Sequence, residues 1–536
     1  MRERADRSPG VRVVVRGAAL AAALLVCAGS PARAADPELV RVFEQGRWPV
    51  EATELDRHVA ADHRRLGVHL ARPCTDAVFF RRVHLDLVGA IPDPGEAAAF
   101  LADRDPDKRA RLIDRLLRDD RSAGWFALRW CDVLRVKSEF PINLWPNAVQ
   151  AYHRWVRDAL ARNVPYDVFA RELLTSSGSN FRVPAVNFLR AVQSREPEAL
   201  GAAAALTFMG QRTELWPAER RSDLAAFFSR VATKRTKEWK EEVVHLDPGA
   251  WEPLSTRLPD GREVTVPAWE DPRRAFADWL ITPDNPWFAR CAVNRLWAWL
   301  FGRGIVDPPD DLRETNPPIL PRTLDHLAAE LVASGWDTRH VLRIIVSSRT
   351  YQQSPLPAGD VERHERAFAC YPVRRIEAEV LMDALSWLAG EGEGYSSPVP
   401  EPYTFVPEEN RTVELADGSI TSPFLELFGR PSRDTGLFAE RSAEPSDDQR
   451  LFLLNSSDVL GRLERSPHLR EVLRAVGTDV PRIVEGVYLT LLARPPTDGE
   501  AAAARAHFVA GGRPLREAVM DLAWALLNSK EFLYRH

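Results

Sequence analysis

The densest group of polar residues in the chain interrupts and then follows an apolar run, "CAVNRLWAWLFGRG", from Cys291 to Gly304. Asn294 and Arg295 fall inside it, and Asp310, Asp311, Arg313, Glu314 and Asn316 come soon after. An amide and a guanidinium within an apolar helix need partners, because burying them unpaired costs several kcal/mol. One arrangement is a carboxylate-lined cleft in which Arg295 grips an anionic or sugar-like ligand, with Asn294, Arg313 and Asn316 as further binding groups. Asp310, Asp311 or Glu314 would then supply acid and base, provided their surroundings set their pKa values apart. The other arrangement is an Arg295–Asp311 ion pair that pins the loop to the helix. Residue types alone favour the second.

Other chemistries find fewer residues. The twelve histidines lack His-x-His or His-Glu-x-x-His spacing. His58 and His63 project from different helix faces, so no metal site is expected. The serines of "TSSGSN", Thr175 to Asn180, lack the Gly-x-Ser-x-Gly elbow of a nucleophile and read as a surface turn. Gly302 and Gly304 follow a helix rather than a strand, which is the wrong context for a dinucleotide loop. Trp287, Trp297 and Trp299 read as core by their helical spacing.

The elements that must position these residues are announced by a repeated phrase. "VHLDLVGAIPDPGEAAA" at Val83 to Ala99 is echoed by "VYLTLLARPPTDGEAAA" at Val487 to Ala503. Val83, Leu87 and Val88 recur at helical spacing, Gly89 and Pro92 stop the helix, and Asp93 caps the next. A second echo links "IIVSSRTY" (Ile344 to Tyr351) with "ALLNSKEF" (Ala525 to Phe532). Polar residues differ between the copies, His84 against Tyr488 and Asp86 against Thr490, so the repeat reads as scaffold. The expected fold is mainly α and multi-helical, two helical domains built partly from helix-turn-helix modules. Residues 35–235 and 271–536 form the domains, and 236–270 a linker with a hairpin at "PDGREV". A Gly, Pro and Ser-rich loop is expected at about 390–435.

Of the 536 residues, 45% are hydrophobic and 27% charged, an ordinary globular composition. The net charge of −5, with interleaved signs, argues against nucleic acid as a partner. Arg2, Arg4, Arg7, Arg12 and Arg16 precede "GAALAAALLVCAG", and "ARA" follows at Ala32 to Ala34. That order reads as an export signal over residues 1–34, cleaved after Ala34, with a periplasmic or otherwise extracytoplasmic destination. The apolar run is too short for a permanent membrane span. Cys27 offers a lipoprotein alternative, opposed by the bulky Val26. Cys74, Cys131, Cys291 and Cys370 then form up to two disulfides, pairing open, or lie buried as small apolar groups.

The chain resembles secreted planctomycete proteins built from domain of unknown function 1549 followed by domain of unknown function 1553. The first is matched by "FFRRVHLDLVGAIPDPGEAAAFLAD" and more loosely by "FMGQRTELWPAERRSDLAAFFSRV". The second is matched by "DPRRAFADWLITPDNPWFARCAVNRLWAWLFGRGIVDPPDDLRETNPP", "SRTYQQS", "RRIEAEVLMDALS" and "FLELFGRPSRDT". The resemblance implies an exported, mainly helical protein whose partners are other exported proteins. Relatives usually carry Cys-x-x-Cys-His, suited to covalent haem, just before the equivalent of "LAAFF". Here residues 211–223 read "QRTELWPAERRSD", without cysteine or histidine. The haem motif is lost and no cofactor is expected. The leading expectation is a non-redox scaffold or interaction module. The alternative is an extracytoplasmic enzyme or binder acting on polysaccharide or sulfated glycan.

Overall fold

The structure, a computed structural model, describes residues 37–250, 252–397, 399, 406–407, 409–509 and 514–536. The export signal, its cleavage point and Cys27 lie outside the described residues.

Helices start where short polar side chains precede periodic apolar runs. Thr75 accepts from the Val78 N–H at the head of α1 (Asp76–Val88). Asp93 accepts from Gly95 and Glu96 at the head of α2 (Pro94–Ala102). Between them Gly89 turns left-handed at φ 57°. A Cβ there would lie 2.5 Å from the Trp125 ring, so conformation and space both demand glycine. Trp125 belongs to α3 (Asp120–Val133), which packs across α1.

Further along, α4 (Pro197–Met209) is apolar nearly all round and packs against α5 (Ala218–Ala226). α6 (Phe288–Phe301) is buried along almost its whole length. α7 (Ala378–Ala389) precedes the loop region, and α8 (Val480–Leu492), α9 (Asp498–Val509) and α10 (Leu515–Leu527) follow it. The echoed phrase is therefore α1–α2 and α8–α9, with Ala493 left-handed at φ 57° where the first copy has Gly89. The shorter echo repeats in atomic detail. Ser348 and Ser529 each donate to the carbonyl three residues back, Ile345 at 2.7 Å and Leu526 at 2.6 Å. Each also accepts from the N–H three residues ahead, on Tyr351 and Phe532, at 3.2 Å. α8 packs against both α2 and α10, so the repeat serves packing.

Strands are few. β1 (Gly178–Ser179), β2 (Val231–Arg235) and β3 (Glu242–Leu246) form an antiparallel sheet in the order β1-β3-β2. Within "TSSGSN", Gly178 and Ser179 are thus strand, and the turn residue Asn180 that follows them is buried rather than on the surface. β4 (Leu254–Arg257) and β5 (Glu263–Val266) make the hairpin expected at "PDGREV". The β2–β3 hairpin was not legible, because Thr233, Lys234 and Arg235 are exposed and the strand lacks an apolar alternation. β6 (Arg374–Arg375) pairs with β7 (Tyr534–Arg535).

One contiguous apolar core runs from Leu55 to Phe532 and draws on both halves of the chain. The Gly, Pro and Ser-rich stretch enters it as well: Thr412, Val413, Leu415, Asp417 and Ile420 are buried rather than on a surface loop. Buried backbone must find partners. Arg433 donates to Ala416 O at 2.8 Å, Arg430 to Asp417 O at 3.1 Å, and Asp417 accepts from the Ser138 N–H at 2.9 Å.

Buried ion pairs lock the halves together. Asp86 of α1 accepts from the Tyr351 and Tyr371 hydroxyls at 2.7 and 2.9 Å, from Arg374 at 3.0 Å, and pairs with Arg535. Arg535 also pairs with Glu377, which pairs with Arg129 of α3. Beside this chain, Arg441 joins Glu379 at 2.6 Å to Asp132 at 2.8 Å, and Arg433 reaches Asp132 at 2.9 Å.

The four described cysteines are buried and unpaired, so the disulfide alternative is not realised among them. Burial pushes the Cys131 and Cys370 thiols up to about 12. No helix among the described residues is long and apolar enough to cross a membrane.

Candidate functional site

The polar residues of α6 turn inward. Asn294 is fully buried, and its amide makes a reciprocal pair with Val306, donating to the carbonyl and accepting from the N–H, both at 2.9 Å. Gly304 makes room for this: a Cβ there would sit 2.2 Å from Val306 O and 2.8 Å from the Asn294 amide nitrogen. Arg295 donates to Thr207 O at 2.8 Å and Leu206 O at 3.4 Å, in the last turn of α4. Carbonyls at a helix C-terminus are short of donors and carry partial negative charge, which suits a cation. Arg295 therefore does not pair with Asp311, the contact expected from the sequence. Asp311 pairs with Arg313 at 3.0 Å instead.

The loop after α6 is held from the other side. Leu312 N–H donates to Gly210 O at 2.8 Å. Asp310 accepts from the Phe438 N–H at 2.6 Å, and burial pushes its carboxyl above the usual carboxylate range, against the pull of Arg295. Asn316 donates to Asp311 O at 2.9 Å and Asp307 O at 3.2 Å, closing the loop on itself.

These contacts shape one wall of a cleft of about 860 Å³. Asp311, Arg313, Glu314 and Asn316 line it, while Asn294, Arg295 and Asp310 stand behind the wall. The segment 211–220, which adjoins the loop after α6 through Gly210, contributes Arg212, Trp216 and Arg220 to the lining, and Trp287 and Arg290 line it as well. Two of the four arginines are matched: Arg313 by Asp311, and Arg290 by Asp325 at 2.7 Å. Arg220 lies over the Trp216 ring at 3.8 Å, and Trp216 donates to Gln211 at 3.2 Å. Trp297 and Trp299 are core, whereas Trp287 is half-buried at the cleft.

Sequence reading missed Arg212, Trp216, Arg220 and Arg290. The first three fall in "QRTELWPAERRSD", a stretch read for the cysteines and histidine it lacks. Its signal was present in the three arginines and one tryptophan packed into thirteen residues.

The cleft lining holds neither cysteine nor histidine, so its residues do not fit covalent haem. Among the described residues no group of three or more His, Cys, Asp or Glu is placed to hold a metal ion. His63 meets Ala367 O at 2.8 Å, and His58 stacks on His326 with centroids 4.5 Å apart.

Fold and cleft together define a mainly helical protein of two halves on one core, with an arginine-rich cleft where they meet. A family model described as PSCyt2, protein of unknown function (DUF1549), matches residues 54–215. A second, PSD1, protein of unknown function (DUF1553), matches residues 272–508. The chain belongs to the proteins in which a DUF1549 domain is followed by a DUF1553 domain. No curated protein and no solved structure matches it.

Proposed function

We propose that the protein is a non-redox, extracytoplasmic interaction module whose working surface is the cleft between its two domains. One observation carries this reading. The segment that holds Cys-x-x-Cys-His in the proteins it resembles here lines an open cleft with arginine and tryptophan. Buried ion pairs that join the domains support it further, because a pre-organised surface loses little freedom on binding. The catalytic alternative, on polysaccharide or sulfated glycan, draws support from Asp311 and Glu314 sharing the cleft. Against it, Asp310 is engaged by Phe438 and Asp311 by Arg313, which leaves Glu314 as the unengaged carboxylate of the three.

A photoreactive residue at Leu215, 55% exposed on the cleft segment, tests the reading in the protein's own cell envelope. Adducts at position 215 and none at the equally exposed Val361 are expected. Equal labelling at both positions, or none, overturns it. Fractionation with N-terminal sequencing should find the chain outside the cytoplasm, beginning at Ala35. A full-length cytoplasmic chain removes the extracytoplasmic part.

A further inference from the structure

Of the four cleft arginines, the side chains of Arg212 and Arg220 make no hydrogen bond or ion pair among the described residues; Glu314 is the lining carboxylate likewise unengaged, and Arg212 feels Asp310 only at longer range. The Nε atoms of both are shielded from solvent and have no hydrogen-bond partner among the described residues. Arg220 has an aromatic face beneath it rather than a carboxylate, and burial pushes its guanidinium pKa below the ordinary value. A shielded N–H without an acceptor is costly, and the planar N–H forks of these half-buried side chains match the oxygens of sulfate and carboxylate. α5 begins between them in sequence, at Ala218, with Pro217 at its N-cap and no side-chain cap, adding the partial positive charge of a helix N-terminus.

The rest of the lining says what the anion is attached to. At about 860 Å³ the cleft is far larger than one oxyanion and falls in the range of small-molecule sites. Gln211, Glu314, Thr315 and Asn316 offer donors and acceptors for hydroxyl groups. The indole of Trp287 and the rings of Pro217 and Pro318 offer apolar surface for the C–H faces of a sugar ring. We infer that the cleft binds an anionic sugar, with its sulfate ester or carboxylate on Arg212 and Arg220 and its hydroxyls on the loop 314–316. This rests on the cleft being the working surface, but not on the partner being a protein.

The test is calorimetric titration of the full chain with four probes. They are a galactose disaccharide bearing one sulfate ester, its unsulfated parent, a uronic-acid disaccharide, and sodium sulfate. At least one anionic disaccharide should bind about tenfold or more tightly than the neutral parent and than sodium sulfate, and which one does so identifies the anion. Arg212→Gln and Arg220→Gln should each weaken it about tenfold or more, and Arg220→Lys by less, since lysine keeps charge but not the fork. The Arg212 side chain makes no hydrogen bond within the protein, so Arg212→Gln should melt with the parent chain. Arg220→Gln loses the stacking on Trp216 and is titrated at a temperature where circular dichroism shows it folded, and Arg118→Gln on an exposed surface outside the cleft should change nothing. Equal binding of the neutral parent, no binding of either anionic disaccharide, sodium sulfate binding as tightly as the sugar, or undiminished affinity in folded Gln variants overturns the inference. Failure here with position-215 adducts intact leaves the interaction-module reading standing; loss of both removes both.

Discussion

Asp86 and Arg535, 449 positions apart in the chain, form an ion pair in which neither side chain has exposed surface. Through Glu377 and Arg129 the pair reaches α3, so a single charged thread runs from the DUF1549 half to the last strand. Removing one member of such a pair leaves a buried charge unpaired, which costs about 3–5 kcal/mol. Asp86→Asn and Arg535→Met should each lower unfolding stability by about that much in urea titration. Because the residues share one network, the double variant should lose less than the sum of the two. Strict additivity would show that the pair is not coupled.

Acid should loosen the neighbouring thread. Burial works to raise the Glu379 carboxyl, but Arg441 and Arg430 outweigh it and hold it at about 2, below its ordinary 4.5. A depressed folded pKa contributes stability that is fully present above the ordinary value and lost as pH falls toward the folded one. The shift corresponds to a contribution on the order of 3 kcal/mol. Urea midpoints should therefore fall between about pH 5 and about pH 2.5, and Glu379→Gln should be less stable at neutral pH but flatter across that window. A parallel pH profile in the variant would contradict the assignment.

The two copies of the repeated turn should respond unequally to exchange of glycine and alanine. Gly89→Ala adds a methyl against Trp125 in a left-handed conformation, and the combined clash and strain should cost about 2–4 kcal/mol. Ala493→Gly relieves the same backbone strain but removes a buried methyl worth about 0.8 kcal/mol, so it should stay within about 0.5 kcal/mol of the parent. Thermal unfolding of both variants checks this. A large effect at Ala493 would mean that the two turns are not equivalent.

Arg295, held by the carbonyls that end α4, is expected to act as a fastening. Arg295→Met removes two charge-assisted hydrogen bonds to the end of α4 and should destabilise by about 2–4 kcal/mol. Anionic-disaccharide affinity, measured on the folded variant at low temperature, should change less than about threefold, where Arg220→Gln loses about tenfold. A tenfold loss in Arg295→Met would place its guanidinium in the binding surface.

Much of the local framework is legible in the order of residues. Helix heads at Thr75 and Asp93, the stop at Gly89, the helix-turn-helix echo and the β4–β5 hairpin follow from periodicity, capping and turn residues, which act over a few positions. The strand β2 escaped because its outward residues are charged and its partner, not its own pattern, holds it in the sheet. The interior course of residues 412–420 escaped because arginines more than ten positions away satisfy its carbonyls.

The site divides along the same line. From the sequence alone it followed that residues 211–223 offer nothing to a haem, and that Asn294 and Arg295, within an apolar helix, must find partners. Only the tertiary structure decided which partners: Val306 and the end of α4, not Asp311. It alone brought Arg212 and Arg220 into one cleft with Arg313 and Glu314, because residue type announces a need for a counter-charge while packing between distant segments decides whether one is supplied.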